Sequence, residues 1–211
     1  MTGKVIPEGF KLGMDDIKKT DDSATEGYLT GRLLLATPVL RDSGFEKSVV
    51  YICSHDARGA MGIVVNQPLK LVEFRDILTQ LKLDGIEIDP GLLPDVHFGG
   101  PVEMTRGFVL HSTDHVHQDT VVLDKNVGIT ATIEILQDIV MGCGPKNSIF
   151  ALGYAGWGEG QLEQELQSNA WLSIEADPSL IFDTKTHDKW EKALEILGVS
   201  PAQLSSITGH A

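Results

Sequence analysis

Apolar residues along this chain fall into short, dense runs separated by turn-forming residues. RLLLATPVL (32–40), SVVYICS (48–54) and GIVVN (62–66) are rich in β-branched residues, which predicts strands. Successive side chains on a strand point to opposite faces, so consecutive apolar residues make both faces hydrophobic. Each of these strands must then be covered on both sides, by helices or by a second layer of sheet. VHFGG (96–100), RGFVLHS (106–112) and SIFALGYAG (148–156) predict further strands.

Amphipathic stretches interrupt them. LVEFRDILTQLKL (71–83) sets Leu71, Phe74, Ile77, Leu78 and Leu81 on one face at helical spacing. TATIEILQDIVMG (130–142) turns Ile133, Leu136, Ile139 and Val140 inward, with Thr130 as N-cap and Gly142 as the stop. QLEQELQ (161–167) predicts a short helix, Asp177-Pro178 a helical turn, Thr186 to Leu197 a helix ended by Gly198, and Ser200-Pro201 a final helical turn. Strands thus come in groups with helices placed irregularly among them, an α+β pattern rather than a doubly wound one. Residues 1–26 are polar, end in KKTDDSATEG and have no periodicity, so they are expected to form a flexible arm ahead of a single domain over 27–211.

Charge narrows the function classes. The 211-residue chain carries 17 basic and 30 acidic residues, a formal net charge of -13 without any basic run. Nucleic-acid binding draws on Lys and Arg against phosphate, so direct contact with DNA or RNA is not expected. The N-terminal MTGKVIPEGFKLGMDD lacks an apolar core of signal-peptide length, and no run approaches the roughly 18 apolar residues of a membrane span. The expectation is a cytoplasmic protein with no membrane contact. Its two cysteines, Cys53 and Cys143, form no C-x-x-C pair and read as buried free thiols.

Polar residues that break apolar strands are the candidates for chemistry. His55 and Asp56 close one strand, Asn66 the next, and Arg106 and His111 flank a third, beside Gly99-Gly100-Pro101 where backbone can approach closely. If these strand ends converge, His55, Asn66, Arg106 and His111 rim a pocket; if not, they are structural groups satisfied by backbone and carboxylate partners. HSTDHVH brings His111, His115 and His117 together with Asp114, and His115 and His117 share a side in an extended chain. The spacing matches no standard four-ligand zinc set, and neither a metal nor another cofactor is assigned. Ser112 beside His111, and Ser54 beside His55 and Asp56, lack a nucleophile turn of the G-x-S-x-G type, so no catalytic residue is assigned. Gly153, Gly156, Gly158 and Gly160 follow a strand and precede a helix, but without a Walker lysine and with Glu159, Glu163 and Glu165 nearby they read as a tight turn beneath Trp157. Trp171 and Trp190 read as anchors of the C-terminal segment.

The run from Leu33 to Leu69, LLLATPVLRDSGFEKSVVYICSHDARGAMGIVVNQPL, carries a resemblance together with FGGPVEMTRGFVLHS (98–112), ALGYAGWGEGQLEQEL (151–166) and DPSLIFDTKTHDKWEKAL (177–194). In that order these segments resemble the AlgH/YqgE family of bacterial proteins, over nearly everything from residue 28 to 200. The resemblance implies a cytosolic bacterial protein with a mixed, partly barrel-like β-sheet and flanking helices, and an association with transcriptional regulation. It brings no catalytic or binding residues with it. Lys47 stands where the family commonly has Arg, and Ser54 where it commonly has Glu. The function expected is therefore that of a non-catalytic regulatory or adaptor protein acting through a protein partner or a small ligand. The alternative is an enzyme, of hydrolytic or other activity, using the His/Asn/Arg set at converging strand ends.

Overall fold

The apolar runs form strands, and one of those strands holds the molecule together. A computed structural model describes residues 11–13, 28–40, 44–83 and 93–207. The strands are β1 (Lys11–Leu12), β2 (Arg32–Ala36), β3 (Val49–Asp56), β4 (Gly59–Val64), β5 (Val96–Phe98), β6 (Val102–Ser112), β7 (Val121–Val122), β8 (Val127–Thr130), β9 (Ser148–Gly158) and β10 (Trp171–Glu175). The helices are α1 (Phe74–Gln80), α2 (Ile133–Val140), α3 (Gln161–Gln167), α4 (Lys189–Leu197) and α5 (Pro201–Ile207), with a π-helical turn at Ser179–Asp183.

The sheet runs β10-β2-β3-β4-β9-β6-β8-β7, antiparallel along this path, with β1 added parallel to β6 and β5 parallel to β9. It curls into a half-barrel with flanking helices, an α+β fold. The first half of β9 pairs with β6, from Ser148 opposite His111 to Leu152 opposite Gly107, and its second half pairs with β4, from Ala155 opposite Gly62 to Gly158 opposite Gly59. Gly153 sits at the change of partner with φ of 71°, where a Cβ would lie 2.4 Å from the Gly100 carbonyl oxygen. Only glycine fits a left-handed backbone pressed this closely against another chain segment. The Gly99 amide donates to the Leu152 carbonyl at 2.7 Å, and the Gly99 carbonyl accepts from Val64 at 2.9 Å, closing the seam.

Both faces of the strands are covered, as consecutive apolar residues require. Leu33, Leu35, Val49, Tyr51, Ile63, Phe108, Leu110 and Ile129 pack on the face shared by the two halves of the sheet, against Ile181, Trp190 and Leu194. Their neighbours Leu34, Val50, Ile52 and Val64 face the other way and meet Trp157, Leu162 and Trp171, so α3 covers that side. Val109, Phe150 and Leu152 are covered by α1 through Phe74, Ile77 and Leu78 and by α2 through Ile135, Leu136 and Ile139. Among the described residues no helix is long and apolar enough to cross a membrane.

Several sequence expectations shift at element ends. Helix α1 begins after Glu73, whose amide donates to the Asp76 carboxylate at 3.0 Å, and ends before Lys82 at φ of 59°. That local capping leaves Leu71 outside the helix and 77% exposed. Thr130 does not cap α2; it is the last residue of β8, paired with Val109, and the helix starts three residues later, leaving Ile133 40% exposed. Cys53 is buried and its thiol pushed up by that burial, whereas Cys143 is exposed rather than buried because α2 ends before it. Lys11–Leu12, within the segment expected to be a flexible arm, pair with Arg106–Gly107; residues 1–10 and 14–26 lie outside the described residues. Strands β7, β8 and β10 were not legible as strands. Trp171 and Trp190 are buried as expected, and Asp177 accepts from the Ser179 amide at 2.8 Å to start the predicted turn.

Replacing Gly153 with alanine is expected to destabilise the fold by about 3 kcal/mol or more in urea unfolding. Gly198 also has positive φ, at 68°, but with nothing within 4 Å of a Cβ. Gly198→Ala should therefore cost only the left-handed backbone strain, about 1 kcal/mol.

Candidate functional site

The four residues proposed to rim a pocket are not brought together. Asn66 Oδ1 accepts from the Val49 amide at 2.8 Å and its Nδ2 donates to the Lys47 carbonyl at 2.8 Å, so it sits at the start of β3. His55 is near the other end of β3, six residues or about 20 Å along the strand. There its Nδ1 accepts from the Leu29 amide at 3.1 Å, which leaves Nε2–H to donate to Glu163 at 3.0 Å. Arg106 and His111 are five residues apart on β6, about 16 Å. Arg106 donates to the Gly13 carbonyl at 2.8 Å and to Glu103 at 2.7 Å, tying β1 to β6. Arg106 and then Lys11 hold the Glu103 carboxyl below its usual range.

His111 is fully buried, and its Nε2 lies 2.8 Å from Thr130 Oγ1 while Nδ1 lies 3.0 Å from the Ser112 carbonyl. The carbonyl can only accept, so Nδ1 carries the proton and Nε2 accepts from the threonine. Burial pushes the imidazole below its ordinary value, in keeping with a neutral ring. Thr130 is itself 2.8 Å from Thr120 Oγ1, which accepts from the His117 amide at 2.9 Å. A hydrogen-bond chain therefore runs from the buried sheet to the loop that follows β6.

That loop carries the densest cluster of ligand-type atoms among the described residues. His115 Nε2 and His117 Nε2 are 3.1 Å apart, and each is 2.8 Å from Asp138 Oδ2 on α2. The two histidines are two apart in this loop, His115 at a bend, with Val116 between them 53% exposed. All three are partly buried, with side chains 26%, 28% and 19% exposed. Asp114, the carboxylate nearest in sequence, instead accepts from Ser112 Oγ and from the Lys146 amide at 3.3 Å. Sequence reading paired the two histidines and missed Asp138, whose signal was its place on the polar side of α2. Cys143 Sγ lies 3.8 Å from the other Asp138 oxygen.

Two further groups decide what the remaining motifs do. Glu165 accepts from Trp157 Nε1 at 2.8 Å and from Trp171 Nε1 at 2.7 Å, so the glycine-rich turn before α3 serves packing. Lys189, unnoticed in the sequence, is 3% exposed and donates to the Val65 carbonyl at 2.9 Å and the Ile181 carbonyl at 2.6 Å. Burial pushes its ammonium down to about 8. Burial, and then the Lys189 charge, push the nearby His97 imidazole down as well.

A curled antiparallel half-barrel, seamed at β9 and covered by α3 on one outer side and α1 and α2 on the other, defines an α+β fold. The chain belongs to the AlgH-like family, DUF179, whose model matches residues 33–202. A UPF0301 protein of Methylobacterium sp. (strain 4-46) is 47% identical over 204 residues, covering 93% of this chain and 97% of that protein. A UPF0301 protein of Rhodospirillum rubrum is 48% identical over 188 residues, covering 88% and 96%. The solution structure of the AlgH protein from Pseudomonas aeruginosa matches with a TM-score of 0.71 at 37% identity, covering 90% of this chain and all of that one. A crystal structure of a Corynebacterium diphtheriae protein shares the fold, with a TM-score of 0.64 at 18% identity over 80% of this chain and 86% of that one.

The buried lysine makes stability depend on pH in a defined direction. Its ordinary value is 10.5 and its folded value about 8, so between these the unfolded chain binds more protons and stability rises with pH. Below about 8 the folded protein bears the cost of burying the charge. The stability of the wild type relative to Lys189→Met should therefore increase by about 3 kcal/mol from pH 7 to pH 10.5, read by urea unfolding across that range. A flat difference would show that the ammonium is not desolvated as its surroundings indicate.

Proposed function

We propose that the protein is a cytoplasmic regulatory or adaptor protein that works by binding a protein partner or a small ligand rather than by turnover at a His/Asn/Arg centre. The observation that carries this reading is the dispersal of His55, Asn66, Arg106 and His111, each committed to a structural hydrogen bond. General acid–base chemistry needs its groups within about 3 Å of a common substrate atom, and separations of 16–20 Å along single strands do not allow it. The reading also suits a net charge of -13, which disfavours nucleic acid as the direct partner. Regulation would then run through contacts with another protein or a metabolite.

Exposed apolar side chains offer contact surface. Val116 is 53% exposed in the loop after β6, and Met141, at the end of α2, is 57% exposed. The test pairs activity with binding. Wild type, His55→Ala and His111→Ala are screened against ester, phosphate and amide substrates, and wild type is run in a mobility-shift assay on DNA at low salt. The expected outcome is no turnover by any of the three, a loss of about 1–3 kcal/mol of stability in the variants from unpaired buried groups, and no retarded DNA. Turnover by wild type that one imidazole removal abolishes in a folded variant would overturn the proposal.

A further inference from the structure

We propose that His115, His117 and Asp138 form a binding site for one divalent d-block cation of the zinc class. This inference stands apart from the regulatory reading and would survive its failure.

The three ligand atoms make a triangle with edges of 3.1, 2.8 and 2.8 Å. With the Asp138 carboxylate ionised, no arrangement of protons on the two imidazoles satisfies all of these edges. If both histidines carry a proton on Nε2, both can donate to Asp138 Oδ2, but two N–H groups then face each other across the 3.1 Å edge. If only one carries it, the other nitrogen turns a lone pair towards a carboxylate lone pair at 2.8 Å. A cation above the triangle interacts favourably with all three lone pairs at once. Metal bonds of about 2.0–2.1 Å put neighbouring ligand atoms about 2.9 Å apart at right angles and about 3.4 Å apart at the tetrahedral angle, so the observed edges suit a cation with near-perpendicular ligands and need a few tenths of an ångström of opening for a tetrahedral one.

The triangle is also held in place before any ion arrives. Asp138 projects from a helix fixed by buried Ile135, Leu136 and Ile139. The histidine loop is pinned through the His117 amide to Thr120, Thr130 and His111 in the sheet. Glu134, one helical turn before Asp138, adds a second carboxylate on the same side of α2. Three protein ligands with partial exposure leave coordination positions for water or an external ligand, the arrangement of an open rather than a closed site. Two imidazoles and one carboxylate favour zinc, cobalt or nickel over magnesium and calcium, which prefer oxygen ligands throughout.

The test uses the full chain, stripped with a chelator and titrated with Zn²⁺ by calorimetry and with Co²⁺ by visible absorption. Saturable binding near one equivalent is expected, with ligand-field bands for Co²⁺ that Zn²⁺ bleaches and excess Mg²⁺ does not. Asp138→Asn and His115→Gln, nearly isosteric changes on partly exposed side chains, should each lower affinity about 100-fold or more, since even loss of a group that only orients a ligand costs 10- to 100-fold. Far-ultraviolet circular dichroism verifies that each variant is folded, and His117→Gln replaces either one that is not. His187→Ala, which alters an exposed histidine 3.3 Å from Asp188, should bind as wild type does. No saturable binding by wild type would overturn the proposal, as would binding unchanged in folded Asp138→Asn and His115→Gln, or abolished by His187→Ala, or displaced equally well by Mg²⁺.

Discussion

The fold depends on one close contact, where β9 passes Gly99 and Gly100 at Gly153. A single strand pairs with β6 along its first half and with β4 along its second, so two groups of strands become one curled sheet. The change of partner needs backbone against backbone, with a Cβ on Gly153 only 2.4 Å from the Gly100 oxygen and a Cβ on Gly100 only 2.0 Å from the Tyr154 carbonyl carbon. Once the seam is closed, the curl gives the sheet a shared apolar face and two outer faces. The shared face takes Trp190 and Leu194 of α4, and the outer faces take α3 on one side and α1 with α2 on the other.

Curling the sheet also determines what its polar residues can do. Asn66 occupies hydrogen-bonding groups at the start of β3, and Arg106 with Glu103 holds β1 against β6. His55 joins β3 to α3 through Glu163 and to residue 29 through its amide. Buried polar groups left unpaired are costly, so each strand interruption carries its own local partner. His111 differs in that its partner chain continues outward, through two threonines, to a surface loop. The loop histidines and Asp138 thus rest on the same packing that makes the core.

Much of the architecture was legible in the chain. The runs at 32–40, 48–54 and 62–66 supplied β2, β3 and β4 with apolar residues on both faces, because alternation is a local property of extended backbone, although β2 stops at Ala36 and Pro38–Leu40 form a 3-10 turn instead of continuing it. Helix positions were legible and their ends less so. Leu71 continued the helical spacing but lies outside α1, where capping by Asp76 sets the start, and Thr130 looked like a cap but completes β8. Strands β7, β8 and β10 escaped notice because each is short and set among polar residues without a clear apolar run, Val121–Val122, Val127–Thr130 and Trp171–Glu175. Lys189 escaped because a lysine beside a tryptophan gives no sign of which carbonyls will enclose it.

The sequence by itself determined the α+β class, the covered strands, the acidic charge and the pairing of His115 with His117 on one side of their segment. These follow from period, composition and spacing, which act over a few residues. Tertiary structure alone decided that β9 bridges both halves and that Asp138 rather than Asp114 meets the two imidazoles. The reason is that each of these depends on where a curled sheet and its covering helices bring residues more than twenty positions apart, and no local pattern encodes that distance.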